Sequence, residues 1–239
     1  MKYIDLTLPT PQENLACDEA LLDWCEEGHA PEILRFWEPR EPFVVVGYAN
    51  KIATEVSRPA CRAHNVPVLR RCSGGGTVLQ GPGCLNYTLI LKMQETGPLQ
   101  SITETNRFIL QRHRDALTVL TGEAIEIHGS VDLTIAKRKF SGNAQRRKRR
   151  CLLFHGTFLL QFDIPLVEKF LAMPLNQPGY RQNRPHTDFL INLSVTPDSV
   201  KSALQEAWGA SEPLEKVPFE KIASLVQQKY LTDEWNFKF

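Results

Sequence analysis

Residues 70–91 read RRCSGGGTVLQGPGCLNYTLIL. Two runs with strand character, VPVLRRC and LNYTLILK, flank Gly74, Gly75 and Gly76. Glycine costs backbone entropy and packs no side chain, so a triplet at a strand end points to a need for bare backbone. Successive unhindered N–H groups can converge on a phosphate and let it approach closely. The stretch is not a P-loop, because no Gly-Lys-Ser/Thr follows, and Leu79 stands where a dinucleotide fingerprint needs glycine. Taken alone, the triplet fits a bulge or turn about as well as a phosphate site. Arg70 and Arg71 favour the anion reading, since guanidinium beside bare N–H groups is what an anion needs.

Outward from this stretch, strand-like and helical runs alternate without a regular repeat. EILRFWEP (32–39) and PFVVVGYA (42–49) read as strands joined by a short polar turn, preceded by a helix over Glu13–Glu26 with Ala16, Ala20, Leu21 and Trp24 along one face. Ser101 and Glu104 form a capping box for a helix that ends at Gly122. AIEIH, VDLTI, RKFSGNAQ and CLLFHGTFLLQF follow as four strand-like runs in succession, which implies antiparallel pairing. Thr196-Pro197 opens a helix that Gly209 closes, and Pro218 opens another whose Phe219, Ile222, Val226 and Tyr230 share a face. The fold class is therefore α+β, a mixed, largely antiparallel sheet flanked by helices.

With 239 residues the chain suffices for one large domain, residues 1–239, with the last roughly 25 residues as a helical cap. A net charge of +1 provides no global field for nucleic acid or an anionic membrane surface. Asp5 and Pro9 interrupt the apolar start, so it cannot act as a signal-peptide core, and no run approaches the roughly 20 apolar residues that span a bilayer. Six scattered cysteines form no CxxC pair; Cys61 with His64 and Cys151 with His155 have ligand-like spacing but lack a second cysteine. The expectation is a reduced, cytoplasmic protein without a disulfide framework.

A second chemical candidate is KRKFSGNAQRRKRRCLLFHGT. Lys139, just before Phe140-Ser141-Gly142, is either an edge-strand lysine or a charge held in a site to stabilise a developing anion. Lys137, two residues earlier, falls on the same strand face by period-two geometry. The five cations Arg146–Arg150 read as a solvated loop or as a dock for an acidic protein surface.

Three ordered motifs, RRCSGGGTVLQGPGCLNYTL, DLTIAKRKFSGNAQ and HGTFLL, resemble the lipoate–protein ligase A family, which groups with biotin/lipoate ligase catalytic domains. ENLACDEALL, LRFWEP, VVVGYAN and YRQNRPHTDFLINL (180–193) extend the resemblance over nearly the whole chain. It implies a fold related to class II aminoacyl-tRNA synthetases and biotin ligases. It also implies a lipoate–protein ligase: ATP and lipoate, or octanoate, give lipoyl-AMP, and the acyl group passes to a lysine of an acceptor. The acceptors implied are lipoyl domains of 2-oxoacid dehydrogenase E2 subunits or a glycine cleavage H-type protein.

By motif position, Arg71, Ser73, Gly74, Gly75, Gly76, Thr77, Val78 and Leu79 would contact ATP and the lipoyl chain, with Gly142, His155 and Gly156 also in the site. Lys139 would be the catalytic lysine touching both carboxylate and α-phosphate. Asp132 matches the acidic residue of the family's NDL element, associated with Mg²⁺, although Val131 replaces its Asn. Val44, Val45, Val46 and Leu79 are the expected walls of an apolar slot.

The nearest alternative within the fold is an octanoyltransferase or lipoyltransferase acting from acyl carrier protein or preformed lipoyl-AMP. Some such relatives use a cysteine near the lysine motif to hold the acyl group as a thioester. AIEIHGSVDLTIAKRK has none; Cys151 is the remaining candidate, while Cys72 and Cys84 read as small buried residues. A non-catalytic accessory homologue is a third class, against which Arg71, the glycines and Lys139 together argue. Many ligases of the family carry an extra C-terminal domain, and this chain ends soon after its catalytic segment; the resemblance leaves open a small accessory protein as partner, a stand-alone enzyme, or transfer of preformed lipoyl-AMP alone.

Overall fold

Cys84–Leu91 is buried at every position, on both faces of its strand, which requires packed layers on either side. The computed structural model describes residues 1–239 and supplies those layers. Its strands are β1 (Lys2–Asp5), β2 (Ile33–Trp37), β3 (Phe43–Val46), β4 (Val68–Arg70), β5 (Val78–Gln80), β6 (Cys84–Lys92), β7 (Ile125–His128), β8 (Asp132–Ile135), β9 (Arg138–Arg147), β10 (Cys151–Leu159) and β11 (Glu212–Pro213). The helices are α1 (Pro11–Glu26), α2 (Ile52–Glu55), α3 (Arg58–Ala63), α4 (Ile102–Thr121), α5 (Leu166–Phe170), α6 (His186–Phe189), α7 (Pro197–Trp208), α8 (Phe219–Leu225) and α9 (Asp233–Asn236).

Eight strands form one sheet in the order β11-β1-β2-β6-β10-β9-β8-β7, and β4-β3-β5 form a second. The large sheet is antiparallel from β2 to β7 and parallel at β11-β1-β2. Alternation along the strands sorts its two faces. Leu34, Phe36, Leu85, Leu89, Leu152 and Phe158 join a core with α4 and α7, whereas Ile33, Trp37, Ile90 and Leu153 join one with α1 and α8. The second core also takes in Phe43, Val45 and Leu69 of the small sheet. The fold is thus mixed α+β with a largely antiparallel sheet, and no helix is long and apolar enough to cross a membrane.

Caps account for the helix ends. Thr10 and Glu13 form a reciprocal capping box that starts α1 at Pro11, ahead of the expected Glu13. At α4 the box is half made: Ser101 Oγ accepts from the Glu104 N–H (3.1 Å), but the Glu104 carboxylate turns to the same hydroxyl. Gly122 and Gly209 close α4 and α7 in the left-handed conformation.

Three expectations change. β2 and β3 are both strands but belong to different sheets, because the turn between them crosses from one layer to the other. β5, only three residues long, escapes any periodicity test. Phe219, the first residue of α8, is exposed while Ile222, Val226 and Tyr230 are buried, and the helix widens to a π turn at Val226–Tyr230.

Candidate active site

One cavity of about 570 Å³, within the range of small-molecule sites, lies where β9 and β10 of the large sheet meet the glycine loop and β5. Arg71, Gly75, Gly76, Thr77, Val78, Leu79, Asp132, Lys139, Gly142, His155 and Gly156 all line it, whereas the buried Ser73 and the exposed Gly74 do not. Of the expected apolar walls, Val45 and Leu79 line the cavity, while Val44 and Val46 do not and belong to the core with α5, which Leu79, paired with Val44, also joins.

The glycine loop is held from behind by Arg71. Its Nη2 donates to the carbonyls of Gly74 (2.6 Å) and Gly76 (2.8 Å), its Nε to Ser73 Oγ and Gly74 O (both 3.1 Å), and its Nη1 to Val45 O (3.4 Å). Arg71 therefore shapes the loop, which takes up four of its five N–H donors and leaves one on Nη1. Gly75 has φ +86°, and a Cβ there would meet Arg71 Nη2 at 3.0 Å. The bare backbone thus serves the arginine clamp as well as any ligand.

Ser73, His155 and Asp18 form a buried chain. Ser73 Oγ lies 2.6 Å from His155 Nε2, and His155 Nδ1 lies 3.1 Å from Asp18 Oδ2. The carboxylate only accepts, so Nδ1 carries the proton and, in the neutral ring, Nε2 accepts from the serine. Arg35 Nη1 meets Asp18 Oδ1 at 2.5 Å and donates to Asn14 O at 2.9 Å. Burial alone would push the Asp18 carboxyl up; Arg35 and His155 reverse this and hold it below the usual carboxylate range. The order matches a Ser-His-Asp triad, but Ser73 is fully buried and also accepts from Arg71. It is a strut tying the loop to β10 and α1.

Lys139 Nζ lies 2.7 Å from Asp132 Oδ1. The contact crosses Gly142, where a Cβ would stand 2.6 Å from that Nζ, so the pair needs glycine there. A Cβ at Gly156 would in turn collide with Asn143 Oδ1, the acceptor of the Tyr87 hydroxyl (2.6 Å). Lys137 corrects the period-two expectation. With Ala136 (φ +48°) and Lys137 (φ +59°) it makes the two-residue β8–β9 turn, exposed and outside the strand.

Asp132 Oδ2 accepts from the Tyr180 hydroxyl (2.8 Å), so both carboxylate oxygens are engaged. No cluster of three His, Cys, Asp or Glu side chains surrounds it. This donor set does not fit a protein-held Mg²⁺ site, and Asp132 acts here as the partner of Lys139.

No cysteine lines the cavity, and all six are free and buried. Cys151 lies 3.1 Å from Cys25 in the core beneath α1, remote from the role of an acyl-carrying thiol. Burial pushes the thiols of Cys72 and Cys84 up to about 12, which leaves them inert. The basic run is largely consumed by the fold: Arg147 donates to Leu99 O (2.6 Å), Lys148 pairs with Asp23 (2.5 Å), the Arg150 N–H meets Glu26 (2.9 Å) and Arg146 lies over Tyr48.

Sequence reasoning missed Asp18, Arg35, Tyr87 and Asn143, and it assigned no residue within 180–193. The signal was present for Arg35, a single charge inside the apolar run ILRFW, since such a charge folds with a partner, whereas Asp18 is followed directly by Glu19 and does not stand out. Tyr180, Arg181, His186 and Phe189 come from the 180–193 stretch, whose cations and aromatics have no periodicity.

Comparison with known proteins bears on the family and the fold. The family model of the lipoyl protein ligase A/B catalytic domain matches residues 10–207. Among curated proteins, the octanoyltransferase LipM of Geobacillus kaustophilus is 27% identical, over 99% of this chain and 98% of its own. The LipM of Bacillus subtilis is likewise 27% identical over 99% and 98%. A bipartite lipoate protein ligase from Thermoplasma acidophilum, studied with its E2 lipoyl domain, superposes with a TM-score of 0.83 at 22% identity, covering 99% of this chain and 95% of that one. A lipoate-protein ligase A bound with ATP superposes with a TM-score of 0.79 at 24% identity and 99% coverage of each chain, so both structures share the fold. The chain belongs to the lipoyl protein ligase A/B catalytic domain family.

Proposed function

We propose that the protein joins a lipoyl or octanoyl group to a lysine of a lipoyl-type acceptor domain, and that it activates the free acid with ATP. The observation that carries this route is the cavity's chemistry: a lysine ammonium and bare glycine backbone, with no thiol. The acid's carboxylate attacks the α-phosphorus of ATP, the bond to pyrophosphate breaks, and acyl-AMP forms. One N–H of Lys139 meets Asp132 and two remain for the carboxylate and phosphate oxygens, where negative charge concentrates in the transition state. Val45, Val78 and Leu79 supply the apolar wall for the acyl chain. The acceptor amine then attacks the mixed anhydride, AMP leaves, and the amine gives up a proton. Mg²⁺ would enter with the nucleotide phosphates and supply charge neutralisation there, and no step above depends on a protein-held ion. Six unpaired cysteines support a cytoplasmic setting.

The second reading, octanoyl transfer from acyl carrier protein, is favoured by the names of the curated relatives. It needs either direct aminolysis of the carrier thioester or a thiol that this cavity lacks. Intact mass of a lipoyl domain separates the two. With ATP, Mg²⁺ and lipoate, the expected result is one lipoyl addition that disappears without ATP. Addition from octanoyl-acyl carrier protein without ATP, and none from lipoate with ATP, would move the protein to the transferase reading.

A further inference from the structure

Residues 180–193 form a strap clamped onto the β8–β9 hairpin that carries Lys139. Ile191 N–H donates to Lys139 O (3.0 Å), Arg138 Nη2 to Leu190 O (2.9 Å) and Arg184 Nη2 to Lys137 O (2.8 Å). Tyr180 adds the hydrogen bond to Asp132. The clamp fixes Arg181 and His186 against the same cavity as Lys139.

Arg181 is 4% exposed. Its Nε–H donates to Arg184 O (3.0 Å), the Phe189 ring centre lies 4.7 Å from the guanidinium carbon, and its Nη2 is buried without any partner. A buried cation ordinarily has a carboxylate against it, as Arg35 has Asp18 at 2.5 Å. Arg181 has none: the acidic residue that acts on it, Glu168, is exposed and hydrogen-bonded to Thr187. Lys139 is balanced by Asp132. His186 is held neutral, its value pushed down to about 4 by burial and by the charges of Arg181 and Lys139. The cavity wall thus holds two guanidiniums without a carboxylate against them, Arg71 and Arg181, and of the two only Arg181 keeps a nitrogen with no partner.

We propose that Arg181, with His186 beside it, is an anion subsite that binds phosphate oxygens of the nucleotide substrate and of the departing pyrophosphate. The proposal rests on the adenylation reading above. A planar guanidinium matches two phosphoryl oxygens at once, and a triphosphate brings more negative charge than Lys139 alone offsets. The acid's carboxylate is the other possible source of anionic oxygens, and the experiment separates the two.

Full-length protein is titrated calorimetrically with inorganic pyrophosphate, ATP and lipoate in separate runs, for the wild type, Arg181→Met and Arg181→Lys. Methionine keeps the apolar contact with Phe189 and removes every donor; lysine keeps the charge without the fork. Arg181→Met should weaken pyrophosphate and ATP by on the order of 10- to 100-fold while lipoate stays within about twofold. Arg181→Lys should fall between, about fivefold weaker than wild type; if the Met variant fails to fold, that value carries the test, and wild-type affinity in the Lys variant would overturn the subsite. Equal pyrophosphate affinity in wild type and Arg181→Met overturns it as well, and so does a selective loss of lipoate binding, which would assign the site to the carboxylate. If the wild type bound neither ATP nor pyrophosphate, the adenylation reading would fall together with it; wild-type binding that Arg181→Met leaves intact removes the subsite alone.

Discussion

The glycine loop and the strap over Lys139 each bury an arginine at the cavity wall, and they treat it in opposite ways. Arg71 in the loop donates to three backbone carbonyls and a serine through bonds of 2.6–3.4 Å. Arg181 in the strap donates to one carbonyl at 3.0 Å and leaves a buried nitrogen with no acceptor. The loop arginine is spent on its own loop, whereas the strap arginine, on the wall of the same cavity, keeps one nitrogen without a partner. Burial of a cation beside a cavity does not by itself mark a ligand contact; the use made of its donors is what separates these two arginines.

The largest effect should come from breaking the loop side. Arg71→Leu strands the carbonyls of Gly74 and Gly76 and the Ser73 hydroxyl, and should cost about 3 kcal/mol of stability or more. Arg181→Met, losing one hydrogen bond and one ring contact, should stay within about 1 kcal/mol. Urea unfolding of the two variants measures the difference, and equal losses would erase the distinction between the two arginines.

Next is Lys139, which both regions serve. Lys139→Ala should lower acyl attachment on the order of a hundredfold or more, the scale of removing one preorganised donor from a developing anion. Lys137→Ala, in the exposed turn, should stay within about twofold. Gly142→Ala is milder: its methyl would stand 2.6 Å from Lys139 Nζ, which can swing aside. Activity should drop on the order of tenfold with the melting temperature nearly unchanged. Loss of folding instead of rate would show that the glycine serves the strand and not the lysine.

The smallest effect separates two histidines that burial holds neutral. His113, on the α4 face away from the cavity, accepts the Trp208 indole N–H at 2.9 Å and is pushed down to about 3 by burial and by Arg112. Below pH 6.5 the unfolded chain takes up a proton that folded His113 refuses, so stability falls as pH drops, over the window from about 6.5 to about 3. Between pH 7 and 5.5 the loss from this group should be about 1 kcal/mol. His113→Gln should flatten that slope in thermal melts without changing pyrophosphate affinity. A slope unaltered in the variant would assign the effect to other groups.

Much of the architecture was legible because its signals are local. Alternation over residues 125–159 marks four strands that do pair antiparallel, and Ser101, Gly122, Thr196 and Gly209 bound their helices by cap chemistry. The motif residues from Gly75 to Leu79, with Lys139 and His155, do converge on one cavity. What stayed hidden depends on three-dimensional bookkeeping. Whether an arginine's donors are spent on carbonyls of its own loop cannot be read from neighbours in sequence, so the clamp that Arg71 makes on Gly74 and Gly76, and the place of Arg181 on the same cavity wall, stayed hidden. The Lys137 orientation failed for a related reason, since a two-residue turn with positive φ broke the strand period just before Lys139.

The central claim, activation of the free acid on this cavity, is tested most directly by isotope exchange between labelled pyrophosphate and ATP with no acceptor domain present. Exchange should appear only when lipoate or octanoate is added, and should vanish in Lys139→Ala. Absence of acid-dependent exchange in a wild-type protein that still acylates a lipoyl domain from octanoyl-acyl carrier protein would contradict it.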